Sequence, residues 1–293
     1  MSKKIKIGII GGSGLDNPDI LKNSKIKTAP QTPFGKPSDD LTVGEIEGIE
    51  CVLLARHGRK HNVMPGNVNY RANIWTLKEE GCTHIVAATA TGSLQEHIKP
   101  GDVVILDNFI DRTQGRKQTF YDGEAKHPQG ICHLPMEPAF HEKTRQMIIQ
   151  TAQQLNIAVH KTGTVVTIEG PRFSSKAESN MFRQWGGHVI NMTSVPEVVL
   201  AKEAGICYAA IALATDYDCW KENKEEHVTV ADVLATFKKN CTKVTALITA
   251  VVPKIAKENW DQSCKELQQP FMTANVLERS TGYRIALAPV AFL

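Results

Sequence analysis

The run ALATDYDCW at 212–220 ends an apolar stretch with two aspartates, Asp216 and Asp218, spaced two apart. If IALAT is a strand, its side chains alternate between faces. Both carboxyls then project to one side just past the strand's end. Two crowded carboxyls do not both ionise easily, so one pKa rises. A carboxyl that keeps its proton near neutral pH can act as a general acid. The plainer alternative is a solvated acidic loop, because polar strand exits are common.

Other strand exits carry a second chemistry. GIIGGSGL (8–15) has glycines that let backbone N–H groups crowd an anion, and Ser13 adds a hydroxyl. In LLARHGRKH (53–61), Arg56 and His57 follow an apolar run, and a planar guanidinium suits phosphate. In AATATGSL (87–94), Thr89 offers a hydroxyl and Ala90 is small enough for its backbone N–H to approach an anion. These are donors for a phosphate-sized anion. In TIEGPRFSSKAES (167–179), Phe173 can stack on a planar ring and Ser174 can hydrogen-bond to it. VINMTSVPE (189–197) contributes the soft apolar surface of Met192 and the hydroxyl of Thr193. Each has an ordinary alternative: a tight turn, a basic surface loop, close strand packing, or core Phe and Met. A dinucleotide fingerprint fails, since Asn17 stands where the third glycine belongs and no acidic residue ends a following strand. A Walker loop fails for want of Lys-Ser/Thr after the glycines.

Elements must bring these exits together. Strand-like runs are KIGII (6–10), CVLLA (51–55), HIVAATA (84–90), DVVILDNFI (102–110), GTVVTI (163–168), HVINM (188–192) and CYAAIALAT (207–215). Helical patterns span 68–81, 142–156, 175–187, 195–205 and 229–256, the last reaching or crossing Pro253. Alternating strand and helix predicts an α/β fold with helices packed on a largely buried sheet. No linker or repeat cuts the chain, so residues 1–293 read as one domain, with the tail from about 268 unassigned.

Composition narrows the class. The chain has 293 residues, 42% hydrophobic and 22% charged, with a net charge of +3. No basic tail or aromatic-rich basic stripe points to nucleic acid. Seven cysteines, an odd number without CxxC spacing, indicate neither a disulfide framework nor a metal site. No signal-peptide pattern and no run of about 18 apolar residues is present. We therefore expect a cytoplasmic, reduced protein with no membrane partner.

The blocks GIIGGSGL, PFGKPS, LLARHG, NYRANIW, TIEGPRFSSKAES, INMTSVPEVVLAKEAGICYA and ATDYDCW resemble the trimeric purine nucleoside phosphorylase family, in its methylthioadenosine-cleaving branch. The resemblance spans residues 5–267 approximately. It implies one α/β domain with a mixed, barrel-like sheet flanked by helices, assembled as a homotrimer with active sites near subunit interfaces. The implied reaction is phosphorolysis of 5′-methylthioadenosine to adenine and 5-methylthioribose 1-phosphate, in purine and methionine salvage. Inorganic phosphate is then a co-substrate, and no cofactor is expected. Carried over by position, Ser13, Arg56, His57, Thr89, Ala90 and Thr193 bind phosphate. Met192 lies against the ribose. Phe173, Ser174, Asp216 and Asp218 hold adenine. Val230, Val233 and Leu234 line the methylthio pocket, with His61 near that end. His133 is donated by the neighbouring subunit. Asp218 is the expected acid at N7, while Asp216 helps bind the base and raise its partner's pKa. A carboxylate accepts from the 6-amino group of adenine and disfavours a 6-oxo group. The alternative is a phosphorylase for adenosine, methylthioinosine or inosine.

Overall fold

In the computed structural model, residues 4–12, 20–221 and 230–267 are described, those at 230–234 by backbone alone. The strands among them are β1 (Ile7–Gly11), β2 (Lys22–Lys27), β3 (Leu41–Ile46), β4 (Ile49–Ala55), β5 (His84–Ser93), β6 (Val103–Ile105), β7 (Asn108–Arg112), β8 (Val159–His160), β9 (Thr164–Ile168), β10 (Val189–Asn191) and β11 (Cys207–Asp216). The longer helices include α1 (Tyr70–Glu79), α2 (Glu142–Gln154), α3 (Lys176–Gln184), α4 (Ser194–Glu203) and α5 (Val230–Lys257).

All these strands join one mixed sheet in the order β2-β3-β4-β1-β5-β10-β9-β7, with β11 bridging β5 to β6 and β8 on β6. Parallel pairing links β4, β1, β5 and β11. Strand β10 meets β5 antiparallel at Gly92 and Ser93, then runs parallel to β9. A parallel sheet needs cover on both faces. Alternation supplies it: on β4, Val52 and Leu54 face the core beneath α1 and α4, while Cys51 and Leu53 face the core beneath α2 and α5. On β11, Ala210, Ala212 and Ala214 take the first face, and Ala209, Ile211 and Leu213 the second. Each fully buried Ile, Leu or Val contributes about 1.5–3 kcal/mol relative to exposure.

Two expectations change. The run 102–110 is two strands, because the chain changes partners. Leu106 N–H donates to Ala210 on β11, and Asp107 N–H donates to Gly163 beside β9. Strands β2 and β3 went unforeseen. All six residues of β2, KNSKIK, are exposed, so no apolar alternation marks it. The helices follow their signals more closely. Asn69 caps α1 by accepting from Ala72 N–H. Ser175 and Glu178 form a capping box at α3. Helix α5 continues through Pro253.

Candidate active site

Strand carboxyl ends in open α/β sheets define a crevice outside the sheet. Here the exits of β1, β4, β5, β9, β10 and β11 line one cleft with a volume of about 270 Å³. The cleft brings together Arg56, His57, His61, Thr89, Ala90, Phe173, Ser174, Met192, Thr193, Asp216 and Asp218. His133 is exposed and is not among its lining residues. Ser13 and the side chains of Val230, Val233 and Leu234 lie outside the described residues.

At one end sits Arg56, whose side chain is 2% exposed. Its Nε and Nη2 donate to the two oxygens of Glu197 at 2.7 and 2.9 Å, and its Nη1 donates to Ala88 O at 3.0 Å. Burial opposes the charge, but Glu197 outweighs it and the guanidinium pKa rises. Glu197 is fully buried and also accepts from the Tyr208 hydroxyl at 2.7 Å. Five guanidinium donors less three leave two N–H groups for an anion. Gly12 is required beside them: a Cβ there would lie 2.8 Å from Arg56 Nη1 and 3.1 Å from Ala88 O.

His57 adds a neutral ring. Burial first, then Arg56, push its pKa down to about 4. Its Nδ1 lies 2.8 Å from Val63 O, and a carbonyl only accepts, so Nδ1 carries the proton. The neutral ring therefore offers Nε2 as an acceptor, suited to a protonated phosphate oxygen or a sugar hydroxyl. Asn191 ties the hydroxyl-bearing exits together. Its Nδ2 donates to Thr89 Oγ1 at 3.1 Å and to Ser194 Oγ at 2.8 Å, while its Oδ1 accepts from Thr167 Oγ1 at 3.1 Å.

At the other end the aspartates differ from the strand-based expectation. A register shift interrupts β11 between Ala214 and Asp216, and Asp218 takes a left-handed φ of 52°. Strand alternation thus stops before Asp218. Asp216 Oδ1 instead accepts Asp218 N–H at 2.7 Å, an Asx-type turn that stabilises this backbone. Its Oδ2 accepts from Thr215 Oγ1 at 2.7 Å. Gly92 makes room, since a Cβ there would lie 2.9 Å from Asp216 Oδ1. Asp218 is 3% exposed. Burial is the leading cause that raises its pKa, and the surrounding Ser179 and Ser174 hydroxyls pull partly against it. The rise expected from Asp216's charge is led instead by burial, and Asp216 holds the turn through Asp218 N–H. Neither serine hydroxyl makes a well-aligned hydrogen bond to a protein partner. Cys219 Sγ donates to Ser174 O at 3.0 Å, and Trp220 Nε1 donates to Ser93 O at 2.8 Å, fixing the loop on both sides.

Sequence reasoning passed over Glu197, Asn191 and Tyr208. Glu197 stands alone among the apolar residues of VPEVVLA, and a lone carboxylate on a buried helix face demands a partner. That signal was available, though the partner's identity was not. Among the described residues, no group of three or more His, Cys, Asp or Glu could hold a metal ion, and no helix is long and apolar enough to cross a membrane.

The arrangement places a buried cation and hydroxyls at one end of a cleft and a protonatable carboxyl at the other. Known proteins share its frame. An S-methyl-5′-thioadenosine phosphorylase from Aedes aegypti is 66% identical over 268 residues, covering 91% of this chain and 95% of that protein. A methylthioadenosine phosphorylase from Schistosoma mansoni in complex with adenine is 44% identical, with a TM-score of 0.89, covering 92% of this chain and 99% of that one. A mutant of the adenosine/methylthioadenosine phosphorylase of the same organism, in complex with methylthioadenosine, is 43% identical with a TM-score of 0.87, covering 92% and 98%. The model of the Phosphorylase superfamily matches residues 6–253, from β1 into α5 and so across every strand of the cleft, and the chain belongs to that superfamily.

Proposed function

We propose that the cleft carries out phosphorolysis of 5′-methylthioadenosine, giving adenine and 5-methylthioribose 1-phosphate. The observation that carries this reading is the spread of the cleft along β5: Arg56 is fixed on Ala88 O, while buried Asp218, its carboxyl pKa raised by burial, packs beside Gly92 further along the same strand. High identity to named methylthioadenosine phosphorylases supports the substrate.

Arg56, Thr89, Thr193 and the small exit at Ala90 hold phosphate beside the sugar, with Ser13 adding a hydroxyl. Met192 covers the ribose. Phe173 and Ser174 meet the adenine. A phosphate oxygen attacks C1′ as the C1′–N9 bond breaks. Its electron pair leaves with the purine, and Asp218 gives its proton to N7. Solvent then returns a proton to Asp218. Stabilising both developing charges lowers the barrier because the interactions strengthen only in the transition state. Correct placement of phosphate supplies up to about 7–11 kcal/mol in the best model reactions. Asp216 assists by holding Asp218's backbone and lies within reach of the base. His61 borders the cleft, and Val230, Val233 and Leu234, carried on α5, complete the 5′ end.

The chain works without a cofactor, as a single catalytic domain, in a cytoplasmic homotrimer. Exposed His133, next to Ile131 at 66% exposure and Cys132, then reaches the neighbour's cleft. Buried free thiols at Cys51, Cys82 and Cys207 suit a reducing compartment. A second substrate, adenosine, is favoured by the S. mansoni relative whose name includes it.

The test is adenine release from methylthioadenosine, adenosine, inosine and methylthioinosine, with and without inorganic phosphate. Release should require phosphate and prefer 6-aminopurines. Equal hydrolysis without phosphate refutes the reading.

A further inference from the structure

We infer that Arg116 is a positioning residue for the nucleoside: from behind the cleft wall it sets the gap between the segment that meets the base and the segment that meets the ribose. This rests on the reading that these walls hold a methylthioadenosine-like nucleoside.

Arg116 lies in the loop after β7, with its side chain 3% exposed and outside the cleft lining. Its Nη1 donates to Met192 O at 2.7 Å and to Val195 O at 2.8 Å. Its Nη2 donates to Glu169 O at 2.7 Å and, more weakly, to Ile168 O at 3.5 Å. Its Nε donates to Glu169 Oε1 at 3.1 Å. One guanidinium therefore grips the exit of β9, which leads to Phe173 and Ser174, and the exit of β10, which carries Met192. A third wall joins through Tyr70. Its hydroxyl donates to Pro65 O at 3.0 Å and accepts from Arg116 Nη1 at 3.3 Å, and its ring centroid lies 5.4 Å from the guanidinium carbon. Pro65, Ile168 and Met192 all line the cleft.

The grip replaces a missing ladder. Strands β9 and β10 pair as far as Asn191 and Thr167, while Ile168 pairs outward with Arg112 on β7. Past that point the two walls share no strand pairing, and backbone carbonyls cannot hold one another because both only accept. A planar fork of five N–H groups spans them, whereas an ammonium cannot reach the same set in one plane. The phosphate end has its own support, since Arg56 is fixed by Glu197 and Ala88. A change at Arg116 should therefore register on the nucleoside far more than on phosphate.

The experiment compares wild type with Arg116→Lys and Arg116→Ala. Nucleoside and phosphate KM are measured separately, and adenine affinity is measured by calorimetry without turnover. We expect nucleoside kcat/KM to fall by about 10²-fold in Arg116→Ala, as a misplacement near 1 Å can cause. Adenine affinity should weaken in parallel, with phosphate KM within about threefold of wild type. Guanidinium chloride at low millimolar concentration should restore part of the loss in Arg116→Ala, while equal sodium chloride or urea should not. A general structural lesion would not give this split or this rescue. Nucleoside KM and adenine affinity near wild type overturn the proposal, as does a matched rise in both KM values. Where Arg116→Ala does not fold, Arg116→Lys must show the same split, and its absence there overturns the proposal. If wild type releases no adenine but Arg116→Lys weakens adenine binding, the activity reading falls and the positioning role stands.

Discussion

Glu197→Gln isolates the Arg56 support. Both partners lie almost wholly out of water, at 2% and 0% exposure. The amide keeps the shape but removes the charge, and its NH₂ would face a guanidinium donor. The Tyr208 hydroxyl also loses a charged acceptor at 2.7 Å. Removing one partner of a buried pair costs about 3–5 kcal/mol, mainly because the other charge stays buried. At roughly 2–4 °C per kcal/mol for a chain near this size, melting should fall by about 6–20 °C. Calorimetry measures that shift. The Arg56 fork also loses its fixed orientation, so phosphate KM should rise about tenfold or more while nucleoside KM changes little. A melting shift below about 2 °C, or an unchanged phosphate KM, refutes the argument: Ala88 O and the surrounding backbone would then suffice to hold the guanidinium.

Asp218→Asn should lower kcat for methylthioadenosine by about 10²–10⁴-fold and spare 6-oxopurine nucleosides relatively, as steady-state assays on paired substrates would show. The same carboxyl sets a pH dependence. Its folded pKa lies above the ordinary 3.8, so its stabilising contribution is complete below that value and is lost as pH rises through the raised pKa. Wild-type kcat should fall along that alkaline limb, and at pH 8 Asp218→Asn should melt no lower than wild type; a clearly lower melting point would contradict the burial penalty. Gly12→Ala should raise phosphate KM, because the new methyl falls 2.8 Å from Arg56 Nη1, and a variant with wild-type phosphate kinetics would show that the guanidinium has room to move. His133→Ala should weaken methylthioadenosine binding in a homotrimer, and a fully active monomer by light scattering would end that assignment.

Much of the frame was legible in residue order. Strand runs such as CVLLA and CYAAIALAT alternate across a sheet buried on both faces, so short-range patterning located them. Polar residues at their carboxyl ends marked the lining of one cleft, because strand exits in such sheets face one crevice. Strand β2 was illegible: its residues are exposed on one edge and carry no apolar period. The run 102–110 misled, because a continuous apolar stretch records burial and not which strand it pairs with.

Residue types alone determined that a guanidinium, several hydroxyls and two aspartates stood ready at successive exits. Tertiary structure decided what each does. Glu197, 141 positions from Arg56, orients the guanidinium, and only the fold makes that contact. Asp216 and Asp218 look equivalent in sequence, yet a left-handed turn buries one carboxyl and commits the other to its neighbour's N–H. Arg116 reads as one more loop arginine until the β9 and β10 exits close around it. The physical reason is common to all three: periodicity reports each residue's own exposure, whereas orientation and pKa depend on partners set by loop closure and packing far along the chain.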